Sequence, residues 1–425
     1  MSLLVSCWFA LLAADRIDLL GGTGPIVLTP FLLLTPLVVA GALWQRRRYG
    51  IVFRIPPSAG VFALLLLALV TLVLISVFVS NDVTRSATRV SQLIIISFGA
   101  LAVWLSIRDR HDAQAVVVRG ARAGVLLFAA FNIAQLAALA ALLPGHWPSS
   151  QLSLVSLVPD VYAGLIPRLS GPVVDSNRGG LVLVLYGMLL ATGLRVNRWP
   201  WLAGTAVLLL LTLSRSSLLA GATGLLVLLF RHVRQRGGLI QIPPALLVAV
   251  ATSVIVTTGA LLVSPAVQAA GARVVQPLGQ RFAVTEGSSR DHLRLLQRGL
   301  STATRSVPAT LHGIGYGSSH LVLQDFFPGD RYGNFHSVYI GLFAESGIFA
   351  LLVLLLLMAL PVVRDAPLAP LVCAVAVFGV FYGALAEPTF WTALVAGWIP
   401  LDETSSRPNI TNSPTAAPRI APSSN

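Results

Sequence analysis

A histidine, His336, opens the apolar run His336-Ser337-Val338-Tyr339-Ile340-Gly341-Leu342-Phe343-Ala344-Glu345-Ser346-Gly347, directly after a long stretch rich in arginine. An imidazole titrates near neutrality, and at such a junction it meets both water and the lipid headgroup layer. There it is able to accept a proton from a hydroxyl group. Neighbouring cations are expected to lower its pKa and keep it neutral. Glu345 lies nine residues on, about 180° around an ideal helix, so the two cannot form a simple dyad. Helix packing or a polar contact with another span is the expected role of Glu345.

Three further groups of residues carry chemical potential. Gly171-Pro172-Val173-Val174-Asp175-Ser176-Asn177 is a turn-rich approach to an apolar run, where Asp175 and Asn177 either cap a helix or face a ligand. Ser214-Arg215-Ser216-Ser217 is wedged between two apolar segments with almost no loop. Arginine at membrane depth is costly and is usually functional or paired. Ser288-Ser289-Arg290-Asp291 follows Arg281, and arginines in one loop can clamp a diphosphate bidentately; a local Arg290–Asp291 contact is the structural alternative. Gly313-Ile314-Gly315-Tyr316-Gly317 lacks the lysine of a nucleotide P-loop and is expected to be a tight turn. Paired carboxylates, a Gly-x-Ser-x-Gly elbow and a His-Glu-x-x-His motif do not stand out, which leaves hydrolase and zinc-enzyme readings little support.

The elements that must position these groups follow from composition. The chain has 425 residues, 56% hydrophobic and 11% charged, with a mean hydropathy of +0.82. Soluble domains carry about 25% charged residues, and repeated apolar runs of bilayer-crossing length point to an all-α integral membrane protein. Twelve spans are expected, near 1–14, 25–44, 58–80, 90–107, 120–143, 178–194, 199–213, 216–230, 241–263, 336–360, 366–386 and 388–401. They form one polytopic domain over 1–401, with a partly helical extracytoplasmic loop at 264–335 between spans nine and ten; 402–425, rich in Pro, Ser, Thr and Asn, reads as a disordered cytoplasmic tail.

All 29 basic residues are arginine, and the net charge is +13. Much of that charge sits in short connections, so it sets orientation and does not indicate nucleic-acid binding. Arg46, Arg47, Arg48, Arg54, Arg108, Arg110, Arg119, Arg122, Arg195, Arg198, Arg231, Arg234 and Arg236 mark alternate loops as cytoplasmic, with both termini on that side. The opposite side carries connections 144–177 and 264–335, the second holding Arg273, Arg281, Arg290, Arg294, Arg298, Arg305 and Arg331. Leu293, Leu296 and Leu300 recur between those arginines at helical spacing, as in a solvated amphipathic helix. An anionic ligand against the outer face is the alternative. Cys7 and Cys373 lie in apolar runs and are expected to pack, without disulfide or metal. The apolar N-terminus, with no basic region before it, reads as a first span.

Taken in order, these motifs resemble the O-antigen ligase and polymerase superfamily of bacterial membrane glycosyltransferases. The family's closing motif is a histidine, usually followed by Asn, with Leu at the fourth position, Glu at the ninth and Gly at the eleventh. Here these are His336, Ser337, Ile340, Glu345 and Gly347. The family's Gly-hydrophobic-Gly-aromatic-Gly turn corresponds to Gly313–Gly317, its Ser-Arg-Gly to Ser214-Arg215-Ser216, and its Asp-Pro-Asn to Asp175-Ser176-Asn177. Ser337, Ser216 and Ser176 depart from the pattern.

The resemblance implies transfer of a glycan from a polyprenyl-diphosphate donor to a glycan, lipid or other hydroxyl acceptor at the outer face of the bacterial cytoplasmic membrane. It implies neither metal nor cofactor. His336, Arg215 and Arg290 are then the expected catalytic residues, with Arg281, Asn177, Arg294 and Tyr339 contacting substrate. Ligase and polymerase differ only in the acceptor. A lipid-linked glycan transporter or flippase is the rival from another class; it calls for polar groups scattered at mid-membrane along several helices. A non-catalytic membrane partner is the third reading.

Overall fold

A computed structural model describes residues 1–14, 17, 19, 29–49, 55–143, 146–147, 155–157, 159–162, 166–193, 198–235, 287–326, 328 and 333–401. Within these the chain is helical: α1 (Ser2–Ala10, extended by a 3-10 turn Leu11–Ala13), α2 (Pro30–Tyr49), α3 (Pro57–Val77), α4 (Val83–Ile107), α5 (Ala113–Leu139), α6 (Ser176–Gly193), α7 (Arg198–Leu211) and α8 (Arg215–Gln235) come first. From residue 287 on come α9 (Gly287–Ala303), α10 (Val307–His312), α11 (Ser319–Val322), α12 (Val338–Val363), α13 (Ala369–Phe381) and α14 (Pro388–Trp398). Every expected span carries a helix except 241–263, which lies outside the described residues, as do Arg281 and the tail 402–425. Five helices, α3, α4, α5, α8 and α12, are each long and apolar enough to cross a membrane. They turn side chains such as Leu64, Leu67, Ile133, Leu226 and Phe230 outward, as a helix facing lipid tails does.

Two features differ from expectation. The 144–177 connection holds two short antiparallel ribbons, His146–Trp147 with Val155–Ser156 and Asp160–Tyr162 with Ile166–Arg168. Valine, tyrosine and isoleucine suit extended backbone, and such short pairings carry no strong periodic signal. α5 begins at Ala113, ahead of the span expected from 120, so Arg119 and Arg122, both counted with the loop cations, lie inside it, where the Arg122 guanidinium sits 5.3 Å from the Trp201 ring centre.

The interior is aromatic, with Trp8, Phe9, Phe62, Trp104, Phe128, Tyr186, Phe378 and Trp391 buried. Their polar atoms are paired, as a lipid setting demands. The Tyr186 hydroxyl donates to the carbonyls of Phe9 (2.7 Å) and Ala10 (3.1 Å) at the end of α1. The indoles of Trp104 and Trp398 donate to Ile399 O (2.6 Å) and Leu357 O (2.7 Å).

One end of the helices gathers the charges of the arginine-rich connections. Arg46 meets Asp109 at 3.0 Å, Arg110 meets Asp112 at 2.8 Å, and Arg231 meets Asp365 at 3.1 Å. Hydrogen bonding from Arg110 is the largest influence on Asp112 and, with a bond from Ser2, holds its carboxyl down at about 2. The opposite end is organised by a break in α12. Gly347 has φ +85°, so the helical ladder fails there, and carbonyls one turn earlier become available to another partner. Ile314 N–H donates to Ala344 O and Gly315 N–H to Glu345 O, both at 2.9 Å. Gly313, Gly315 and Gly317 all have positive φ, and a Cβ on Gly313 would stand 2.2 Å from the Glu345 carbonyl carbon. The expected tight turn is therefore a plug seated in the broken helix.

A Cβ at Gly347 would meet Leu311 O at 2.1 Å. Gly347→Ala is expected to lower stability by at least the ~1–3 kcal/mol typical of a strained φ, read as an earlier thermal transition in detergent. Gly60→Ala, where nothing lies within 4 Å of the added carbon, leaves the transition unchanged or slightly later.

Candidate active site

The start of α6 is locked to the start of α8. The Ser214 hydroxyl donates to Asn177 Oδ1 (2.8 Å), the Ser217 hydroxyl donates to Asn177 O (3.0 Å), and the Ser214 and Ser217 hydroxyls lie 2.8 Å apart. Gly180 makes this approach possible, since a Cβ there would lie 2.3 Å from Ser217 Oγ. Arg168 reaches the same Asn177 oxygen at 3.5 Å. Arg215 is the first residue of α8 and half-buried at this junction. Asp175 does cap locally, accepting from Asn177 N–H at 2.7 Å through Oδ1. Its other oxygen accepts from the Tyr382 hydroxyl at 2.9 Å, a long-range contact the helix-cap reading did not contain. Beside them, Arg178 and Glu387 pair at 2.7 Å, joining α6 to the start of α14.

His336 completes the group. It has φ +51°, and its N–H donates to Asn334 Oδ1 at 2.8 Å. Its ring stands edge-to-face with Tyr382, centroids 6.5 Å apart, and with His292 of α9, centroids 4.7 Å apart. Burial lowers the His336 pKa, and the Asp175 carboxylate partly opposes that shift. The expected direction holds, but desolvation is the larger influence and not neighbouring cations. Tyr382 is pushed well above the ordinary tyrosine range, by burial first and then by Asp175 and Glu387. It therefore stays protonated and keeps donating to Asp175.

The remaining candidates are placed differently. Ser337 caps α12, accepting from Ile340 N–H at 3.4 Å. The Tyr339 hydroxyl donates to Ala376 O at 2.7 Å, which turns it to helix packing between α12 and α13 and away from the His336 group. Arg294 is exposed and lies 3.8 Å from Asp291, one turn away. Arg290 falls in the first turn of α9; its side chain and all of Arg281 lie outside the described residues. Glu345 is buried, and its Oε1 accepts from Ser319 N–H at 3.0 Å. Its partner is thus Ser319, just past the glycine turn, where helix packing or a polar contact with another span was expected.

A cavity of about 640 Å³, open solvent at its mouth included, lies beside the 333–338 segment. Arg85 and Arg89 of α4, Ser319, Asn334, Ser337 and Glu345 supply its polar lining, and Phe335, Leu342 and Leu385 its apolar lining. Arg85 also donates to Gly317 O at 3.0 Å, so α4 holds the glycine turn from the other side. Arg85, Arg89, Arg178, His292, Tyr382 and Glu387 did not emerge from the sequence reading. Arg85 and Arg89 are one helical turn apart at the head of a span, a signal that was available. Tyr382 and Glu387 lie more than 200 residues from Asp175 and Arg178, and no local pattern links them.

No curated protein significantly matches the chain. A protein-family model described as O-antigen ligase matches residues 200–355, a segment that includes Arg215, the glycine turn, His336, Glu345 and Gly347. Together with the apolar helices, that match points to a membrane protein and supports an O-antigen ligase/polymerase-like family for the chain.

Proposed function

We propose that the protein moves a glycan from a polyprenyl-diphosphate donor to an acceptor hydroxyl at the outer face of the cytoplasmic membrane. The observation that carries this reading is the convergence of His336, Tyr382, Asp175, Asn177 and Arg215 at the heads of α6, α8 and α12. Helix N-termini and arginine guanidinium groups favour anions, and the half-buried imidazole at the same end, its pKa lowered, is suited to receive a proton. The orientation is supported by separation of charge. Arg215 heads α8 and Arg231 lies near its foot, roughly 24 Å away at 1.5 Å per residue. If the foot faces the cytoplasm, the His336 end faces outward.

In this mechanism Arg215 and Arg290, with Arg281, bind the donor diphosphate and offset the charge that grows on it. His336 takes the proton of the acceptor hydroxyl. The acceptor oxygen bonds to the anomeric carbon, the bond from that carbon to the phosphate oxygen breaks, and its electron pair leaves with the lipid diphosphate. Asn177 holds the heads of α6 and α8 in register. Asp175 and Tyr382 form one wall of the imidazole site. A ligase and a polymerase share these steps and differ in what bears the hydroxyl.

His336→Ala is expected to lower transfer about 10²–10⁴-fold and Arg215→Ala about 10²–10³-fold, at unchanged membrane abundance. Full activity in both variants overturns the site. Because the imidazole must be neutral and its pKa is lowered, the rate should hold as pH falls to the ordinary histidine value of about 6.5. It should decline only below that. A rate–pH profile already halved at or above that value contradicts the assignment.

A further inference from the structure

His336 Nδ1 is buried and has no hydrogen-bond partner among the described residues. Among the described residues the ring is bordered by side chains that carry polar atoms of their own. Three titratable groups face it from three elements: Asp175 at the approach to α6, Tyr382 just past α13, and His292 on α9. Tyr382 is tied to Asp175 through its hydroxyl, and its ring is the more distant of the two aromatic contacts. His292 is the closer, with centroids 4.7 Å apart and planes at 69°.

The way α9 is seated makes this contact specific. His292, Leu295, Gly299 and Ala303 recur at intervals of three and four and share one face of the helix. Leu295 and Ala303 are buried in a small core with Phe335, Ala344 and Leu323. At Gly299 a Cβ would lie 2.4 Å from Ile340 and 3.0 Å from the Phe335 ring, so the helix docks closely on the chain that flanks His336. Leu293 and Leu300, whose spacing had suggested the apolar face, are 55% and 48% exposed. Along the docked face the residues are small or apolar, apart from His292 at the end that reaches His336. Packing alone would be served there by leucine or phenylalanine.

We infer that His292 is a positioning residue of the transfer reaction: the outer-connection helix α9 delivers its imidazole against His336 and fixes the orientation in which His336 meets the acceptor hydroxyl. The inference rests on the transferase reading. It assigns α9 a part in the reaction centre beyond carrying cations. It also explains why the docking face of this arginine-rich helix is closed by a glycine.

The test uses full-length protein in liposomes with polyprenyl-diphosphate glycan and acceptor, comparing wild type with His292→Phe, His292→Gln and Leu295→Ala. His292→Phe keeps an aromatic ring but removes the ring nitrogens. It is expected to lower kcat about 10- to 100-fold, the scale of a misplaced reacting group, with donor and acceptor KM within about twofold. His292→Gln should recover part of the loss. Leu295→Ala, which loosens the same helix without touching the imidazole, should keep kcat within a few-fold. Wild-type kcat in His292→Phe overturns the inference, as does an equal loss in Leu295→Ala, which would assign the effect to docking alone. Absence of transfer by the wild type would instead fail the transferase reading itself.

Discussion

The glycine turn can seat on α12 only because α12 is broken at Gly347. An intact helix would keep the carbonyls of Ala344 and Glu345 in its own ladder. With the ladder interrupted, those carbonyls accept from Ile314 and Gly315, and the Glu345 carboxyl takes the Ser319 N–H. Ser76 adds a further tie, accepting from Tyr316 N–H at 3.1 Å and lying 3.2 Å from Ser346 Oγ. In a lipid setting every one of these polar groups needs a partner. The arrangement is therefore strongly specified. It fixes the 307–322 segment to the helix whose first turn follows His336.

From that anchor the rest of the site is built by side chains that come from far apart in sequence. Asn177 and the Ser214–Ser217 turn fasten α6 to α8, Arg178 and Glu387 fasten α6 to α14, and Asp175 with Tyr382 spans the middle. The electrostatics are consistent with one another. Burial favours a neutral His336 and a protonated Tyr382, while Asp175 has its charge met by donors. Tyr382 thus keeps Asp175 engaged without adding a charge of its own next to the imidazole.

Much of the fold was legible in the sequence because membrane insertion writes itself as long apolar runs, and the helices lie where those runs are. The glycine turn, Glu345 and Gly347 were legible as motif positions, although their mutual contact was not. A backbone-to-backbone seat leaves only glycines as its trace. Asn177 and Arg215 were legible as candidates, whereas the bonds from Ser214 and Ser217 to Asn177, which bring the heads of their two helices together, were not. Tyr339 misled because an aromatic hydroxyl near a site-like histidine looks available, yet a helix carbonyl at Ala376 claims it. The face of α9 was misjudged for a related reason. Leucine spacing marks apolar surface, whereas this helix docks through Leu295 and a glycine, which contributes no hydrophobic signal. The ribbons of the 144–177 connection are too short to show periodicity.

The proposed activity is transfer of a glycan from a lipid diphosphate at the His336 end of this membrane protein. The most direct measurement follows labelled glycan on a polyprenyl diphosphate incubated with the purified protein in liposomes, with acceptor present, with and without chelator. Label is expected to move to the acceptor hydroxyl, with free lipid diphosphate appearing in equal amount and chelator changing neither. Label that stays on its lipid across glycan and lipid acceptors, with folded wild-type protein, would contradict it.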